Sequence, residues 1–229
     1  MPARPQPLSR RDRPAKPALT REGIVATAVR VMRAEGLQRV TMRRLAQELD
    51  TGPASLYVYV ANTAQLHAAI LDELLGEVDL GPVTASGDWR ERIEAVLASY
   101  GAVLHEHPSL AHSALVARPS GPHYLDLVEA LLALLAEGGV PDGQAAWGVD
   151  VLLLTTTASA AEHAARDDAA ASDEEWNALA DAVENASPAT TPHIAALGSQ
   201  LLSGTPGARR AWAVRMLLSG MADTPRPSA

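Results

Sequence analysis

Residues 41–60, TMRRLAQELDTGPASLYVYV, constrain this chain more than any other stretch. They predict two short helices joined by a tight turn. Thr41 suits an N-cap, because its hydroxyl can accept from a free backbone N–H of the first turn. Leu45, Ala46 and Leu49 recur at helical spacing and build one apolar face. Asp50, Thr51 and Gly52 carry turn chemistry. Pro53 suits the first position of a second helix, where its missing N–H costs nothing, and Ala54, Ser55, Leu56 and Tyr57 continue it. Arg43 and Arg44 fall off the apolar face, towards whatever the helix pair presents.

A further helix precedes this pair. Thr20 caps it, Ile24, Val25, Ala28, Val29 and Met32 supply its buried side, and Gly36 ends it in the usual C-terminal glycine role. Asn62 or Thr63 caps the helix that follows, which runs to about residue 78 on Leu66, Ile70, Leu74 and Leu75. The charge is divided in the same way. Residues 1–66 hold eleven Lys and Arg against five Asp and Glu, giving +6, while residues 67–229 hold eight against twenty-two, giving −14; together they make the net −8. A basic head on an acidic body implies that only the head meets an acidic polymer.

The first helix ending at Gly36, then Thr41, Leu45, Ala46 and Leu49, then Ser55-Leu56-Tyr57, Tyr59, Asn62 and Leu66, resemble as a set the helix-turn-helix of the TetR family of transcriptional repressors. The resemblance spans residues 20–77. It departs from the family pattern at Asp50-Thr51-Gly52 in the turn, at Val60 where Phe is common, and at Thr63 where Lys is usual. It implies an all-α fold in which a three-helix DNA-binding domain is followed by a larger helical domain for ligand binding and dimerisation. In that geometry the N-terminal part of the recognition helix faces base edges. Thr51, Gly52, Pro53, Ala54 and Ser55 then lie nearest the bases. Thr41, Arg43, Arg44, Tyr59 and Asn62 lie along the backbone side, and Tyr57 reaches a phosphate or packs in the core.

The expected organisation is a disordered basic arm over 1–18, the DNA-binding domain over 19–79, the effector and dimerisation domain over 80–223, and a tail over 224–229. In the arm, Arg10, Arg11, Arg13 and Lys16 either reach phosphates or the minor groove or form a solvated tail. From residue 88 the apolar periodicity predicts a succession of amphipathic helices. The first ends at His107-Pro108, since the residue before proline disfavours helix. A short one follows over 110–117, one over 123–137, and one from about 143 that leads into a small-residue run. A polar loop is expected over 166–172, then a short helix from the capping box Ser172/Glu175, a break at Pro188 and Pro192, and a last helix opened by Thr205-Pro206.

That last helix is apolar on much of its circumference, so it needs two partners. One is the body. The other is expected to be a second subunit, through Trp212, Val214, Leu217, Leu218 and Met221 together with Ala158 and Ala161. The effector pocket is expected among Tyr100, Leu104, His112, Leu115, Trp147, Val151 and Thr155. Tyr100/Leu104 and Trp147/Val151/Thr155 share helix faces at spacing four, and each face runs from apolar towards polar groups.

The chain has no cysteine, which excludes disulfides and Cys-based zinc sites. His105, His107 and His112 do not share a helix face, and no His-Glu-x-x-His string, P-loop or Gly-x-Ser-x-Gly elbow occurs. No catalytic residue, metal or cofactor is therefore expected. No apolar run reaches the ~18 residues of a membrane span, so a cytoplasmic protein is expected. The reading is a homodimeric regulator that binds a palindromic double-stranded DNA operator and leaves it when a small molecule enters the body. Its alternatives are a constitutive DNA-binding activator or architectural factor, or an enzyme domain fused to a DNA-binding head.

Overall fold

The computed structural model describes residues 18–115, 119–167 and 172–227. Eleven α-helices are found among them and no strand: α1 (Arg21–Glu35), α2 (Met42–Glu48), α3 (Pro53–Leu56), α4 (Thr63–Leu75), α5 (Trp89–Glu106), α6 (Pro108–Ala114), α7 (Pro122–Glu137), α8 (Asp142–Asp167), α9 (Ser172–Glu184), α10 (Pro192–Leu201) and α11 (Pro206–Asp223). The basic arm, the loop after α8 and the Ser172 side chain of the expected capping box lie outside what is described.

The helix starts follow local hydrogen-bond chemistry. The side-chain oxygens of Thr20, Thr41, Asn62, Asp88 and Thr205 accept from Gly23 N, Arg44 N, Gln65 N, Arg90 N and Ala208 N. Each satisfies a donor that the helix itself leaves orphaned. Gly36 closes α1 at φ 87°, a left-handed conformation natural to glycine. Pro108 stands at the start of α6, so the chain breaks between α5 and α6 where the sequence requires it.

One apolar core runs the length of the molecule, from Ile24 and Leu45 in the head through Ile70 and Leu74 of α4 to Leu97, Leu131, Leu152 and Leu218 in the body. Helix α4 makes this continuity, packing on α1 of the head and on α6 and α7 of the body. In the body α8 is central, touching α5, α6, α7 and α11, while α9 and α10 pack chiefly against each other. Arg92 of α5 is buried and ties three segments together. Its guanidinium donates to Val83 O at 3.2 Å, to Ala85 O at 3.0 Å and to the carboxylate of Glu137 at the end of α7.

One departure from expectation has a plain cause. The break after α9 at Pro188 and Pro192 is followed not directly by α11 but by α10, which Pro192 opens, because a proline at the first helical position loses no intrahelical bond. Helix α8 runs on through Thr155-Thr156-Thr157 into the small-residue run. Thr156 and Thr157 turn their hydroxyls onto Leu152 O at 2.9 Å and Leu153 O at 2.8 Å, and the helix continues to Asp167.

Candidate nucleic-acid interface and effector cleft

The head is three helices around Ile24, Leu45 and Leu56, all fully buried. The turn between α2 and α3 hangs on Asp50, which has φ 47°. Asp tolerates this left-handed region better than most residues, so the turn needs no glycine there. Gly52 has φ −82° and caps α3. A Cβ built on Gly52 would meet nothing within 4 Å. Its smallness is therefore not demanded by the protein's own packing, and the surface above it is open.

Gly52, Pro53, Ala54 and Ser55 are exposed along one edge, with Thr51 half-buried beside them. Tyr57 is 53 % exposed and Tyr59 37 %, which resolves the two readings of Tyr57 in favour of an outward ring. Val58 stands between them at 81 % exposure. The sequence reading did not select it, since a valine carries no polar signal.

The flanking polar residues divide into two groups. Thr41 and Asn62 are exposed, and their side-chain oxygens are engaged as helix caps. Arg44 is bound within the head: it donates to Glu35 at 2.6 Å and pairs with Glu48, which also accepts from Arg30 at 2.7 Å. Hydrogen bonds from Arg44 to Glu35, and from Arg30 and Arg44 to Glu48, hold both carboxyls below the usual carboxylate range. Arg44 thus braces α1 against α2. Arg43 stands exposed, with no acidic partner among the described residues.

In the body, a cleft of ≈ 60 Å³ lies between α5, the end of α6, the start of α7 and α8. Ala114, Leu115, Pro119, Leu153 and Leu154 give it apolar walls, and Tyr100, Tyr124, Asp150 and Thr157 give it polar ones. The Tyr100 and Thr157 hydroxyls are 2.7 Å apart and buried. Burial pushes the Tyr100 hydroxyl up to about 12, against the lowering influence of its bond to Thr157. A larger open groove of ≈ 310 Å³ separates head from body, with Met32, Arg33, Gly36 and Leu37 on one side and Glu106, His107, Pro108, Ser109 and Leu110 on the other.

Of the residues expected at an effector pocket, Tyr100 and Leu115 line the body cleft. Leu104 is fully buried in the core, His112 is exposed, and Thr155 is half-buried away from the cleft lining. Trp147 and Val151 do not line the cleft but stand on the outer side of α8, exposed to 56 % and 41 %. Spacing of four defined their shared face but not the direction it takes, and the inward side of α8 is filled by Val149, Leu152, Leu153, Thr156 and Thr157. Tyr124, Leu153 and Thr157, which the sequence reading did not pick out, complete the cleft from the neighbouring helix and from the inner side of α8.

The residues expected at a dimer interface divide similarly. Val214, Leu218 and Ala161 are buried within this chain's own core, so these three have little surface left for a partner, while Met221 is half-buried beside Gly148 of α8. Leu217 is half-buried on that core. Trp212, at 63 % exposure, and Ala158 remain on the surface. Trp147, Val151, Leu154 and Ala158 form an exposed stripe along α8, and Trp212 and Met216 form another along α11, which packs beside it.

Comparison with known proteins agrees with this architecture. The family model for bacterial regulatory proteins of the tetR family matches residues 24–70, and that for the tetracyclin repressor-like C-terminal domain matches residues 81–224. An HTH-type transcriptional regulator of Saccharopolyspora erythraea is 36% identical over 136 residues, 59% of this chain and 56% of that protein. The HTH-type transcriptional repressor DrrR1 of Streptomyces coeruleorubidus is 35% identical over 133 residues, 58% of this chain and 49% of that one. The chain thus spans about half the length of these curated relatives. Among solved structures, the transcription regulator SCO7704 of Streptomyces superposes with TM-score 0.79 at 56% identity, covering 93% of this chain and 100% of that chain. ActR of Streptomyces coelicolor in complex with actinorhodin gives TM-score 0.77 at 32% identity, covering 90% and 96%. With both halves matched in order and the fold shared throughout, the chain belongs to the TetR family of transcriptional regulators.

Proposed function

We propose that this protein is a homodimeric repressor that holds a palindromic operator and releases it when a small molecule enters the cleft between α5, α6, α7 and α8. The observation that carries the reading is the pairing, on one continuous core, of an open recognition edge at Gly52–Ser55 with a hydroxyl-bearing cleft, joined by α4. Arg43, Tyr57 and Tyr59 supply phosphate contacts, and the edge from Thr51 to Ser55, with Val58, faces base edges. Arg44 serves by keeping α2 in place. The partner subunit docks on the stripes of α8 and α11 through Trp147, Val151, Leu154, Ala158, Trp212 and Met216.

The cleft is smaller than the roughly 300 Å³ of a typical ligand site. A ligand must therefore open it, and the work of opening is what separates the two states. Release needs only that the ligand binds the open state better by a few kcal/mol. The apolar walls, with the hydroxyls and the Asp150 carboxylate, suit a partly aromatic molecule that carries hydrogen-bond donors. ActR, a structural neighbour, is seen with actinorhodin, which makes hydroxylated aromatic compounds the first class to screen.

The test is selection of bound duplexes from random DNA, followed by a release screen with that class. The expected result is an inverted repeat with half-sites one helical turn apart, roughly 34–36 Å between centres. Binding without sequence preference, or a single asymmetric half-site, would exclude a palindromic repressor.

A further inference from the structure

Helix α7 begins Gly121-Pro122-His123-Tyr124, a start that lacks a cap of its own. Gly121 has no side chain to offer, and no side-chain capping bond is made from the cap position. The cap comes from another helix. Asp72, a buried carboxylate on α4, accepts from Tyr124 N at 3.0 Å. The fit is close enough that a Cβ at Gly121 would overlap the Asp72 carboxylate. One turn further along α4, the His123 ring lies over Gly76, where a Cβ would stand 3.1 Å from the ring. The first turn of α7 is therefore held to the last turn of α4 at two points. Negative charge at a helix N-terminus is favourable in itself, so the bond is a natural place for a firm joint.

Tyr124 belongs to two structures at once. Its side chain lines the cleft between α5 and α8, while its backbone N–H is held by Asp72. At its other end α4 starts from Asn62, directly after the exposed Tyr57–Tyr59 segment. The helix is a rod of roughly 20 Å by its rise per residue.

We propose that Asp72 is the positioning residue that couples the cleft to the recognition edge. Opening the cleft displaces the first turn of α7 at Tyr124. Asp72 makes α4 follow, and the rod carries the displacement to the head. This rests on the cleft being the effector site, as proposed above. A cap with a merely structural role would contribute to stability and leave the coupling untouched.

The test uses an occupant built into the full-length protein, so it needs no identified effector. Ala114 lines the cleft, and Ala114→Trp places a ring inside it; Ala114→Leu is the milder form if the first does not fold. Operator affinity is measured by fluorescence anisotropy for the wild type, Ala114→Trp, Asp72→Leu and the double variant. Leucine keeps the volume and removes the acceptor, so the buried face of α4 is preserved; circular dichroism checks the fold. In the Asp72 background, Ala114→Trp should weaken operator binding by about tenfold, the scale of coupling between groups in contact. In the Asp72→Leu background it should change affinity less than about twofold, and Asp72→Asn, which keeps an acceptor oxygen, should restore most of the effect. Equal weakening in both backgrounds overturns the role of Asp72 while leaving the cleft as effector site. No weakening in either overturns both.

Discussion

The proposed DNA contact can be tested at Gly52 and at the two arginines of α2. A side chain at Gly52 meets nothing in the protein, so Gly52→Val should fold and dimerise normally. It should weaken operator binding about tenfold or more, because the added atoms occupy the space through which backbone approaches bases; tenfold corresponds to about 1.4 kcal/mol. Unchanged affinity in an anisotropy titration would place the DNA elsewhere. Arg43 and Arg44 are neighbours in sequence with different work. Arg43→Ala should weaken binding to all sequences and reduce the slope of log affinity against log salt by about one. Arg44→Ala should show first as a less stable head in thermal melts, since its guanidinium is already held by Glu35 and Glu48. A full loss of salt slope with unchanged melting in Arg44→Ala would reverse these assignments.

The informative elements are the joints of α6 with its neighbours. His67 of α4 is half-buried, with its Nδ1 3.4 Å from Ser113 Oγ of α6. His107 is half-buried at the break between α5 and α6. Burial lowers the pKa of both rings. Below the ordinary histidine value of about 6.5 the unfolded chain therefore binds more protons than the folded one, and stability must rise with pH in that range and flatten above it. Denaturant titrations between pH 5 and 8 should show this rise, and His67→Gln should reduce it; a flat profile in the unmutated protein would contradict the assigned burial. Helix α8 teaches a different lesson. Its inner side supplies Leu152, Leu153, Thr156 and Thr157, while Trp147, Val151 and Leu154 stand outside. A helix apolar on both sides shows in its sequence that it has two partners but not which side each one takes.

For the molecule as a whole, the stripes on α8 and α11 should carry dimerisation. Val151→Arg puts an unpaired charge on the α8 stripe, where it would be buried by a partner at a cost of several kcal/mol. Sedimentation should then find monomers at micromolar concentration, and operator binding should fall with the loss of paired heads. A dimer that survives Val151→Arg and Trp212→Arg together would move the interface off these helices. The charge division follows the same plan. Along the sequence the acidic excess lies after residue 66 and the basic excess before it.

Local chemistry was legible from the residues alone. Caps at Thr20, Thr41 and Asn62, the turn at Asp50–Gly52, the proline at the start of α3 and the break at His107-Pro108 are each specified by residues within four positions of one another, where hydrogen-bond reach and backbone sterics suffice. The family resemblance followed from that local set, and with it the all-α fold. What needed the tertiary structure was direction and distance. Spacing of three and four assigns Trp147 and Val151 to one face, and only the packing of α5 and α7 against the other side of α8 turns that face outward. Val214 and Leu218 repeat like interface residues, yet α5 and α8 bury them within the chain. The bond from Asp72 to Tyr124 joins residues fifty-two apart. Neither residue carries a local sign of the other, because a carboxylate that caps a distant helix obeys no spacing rule.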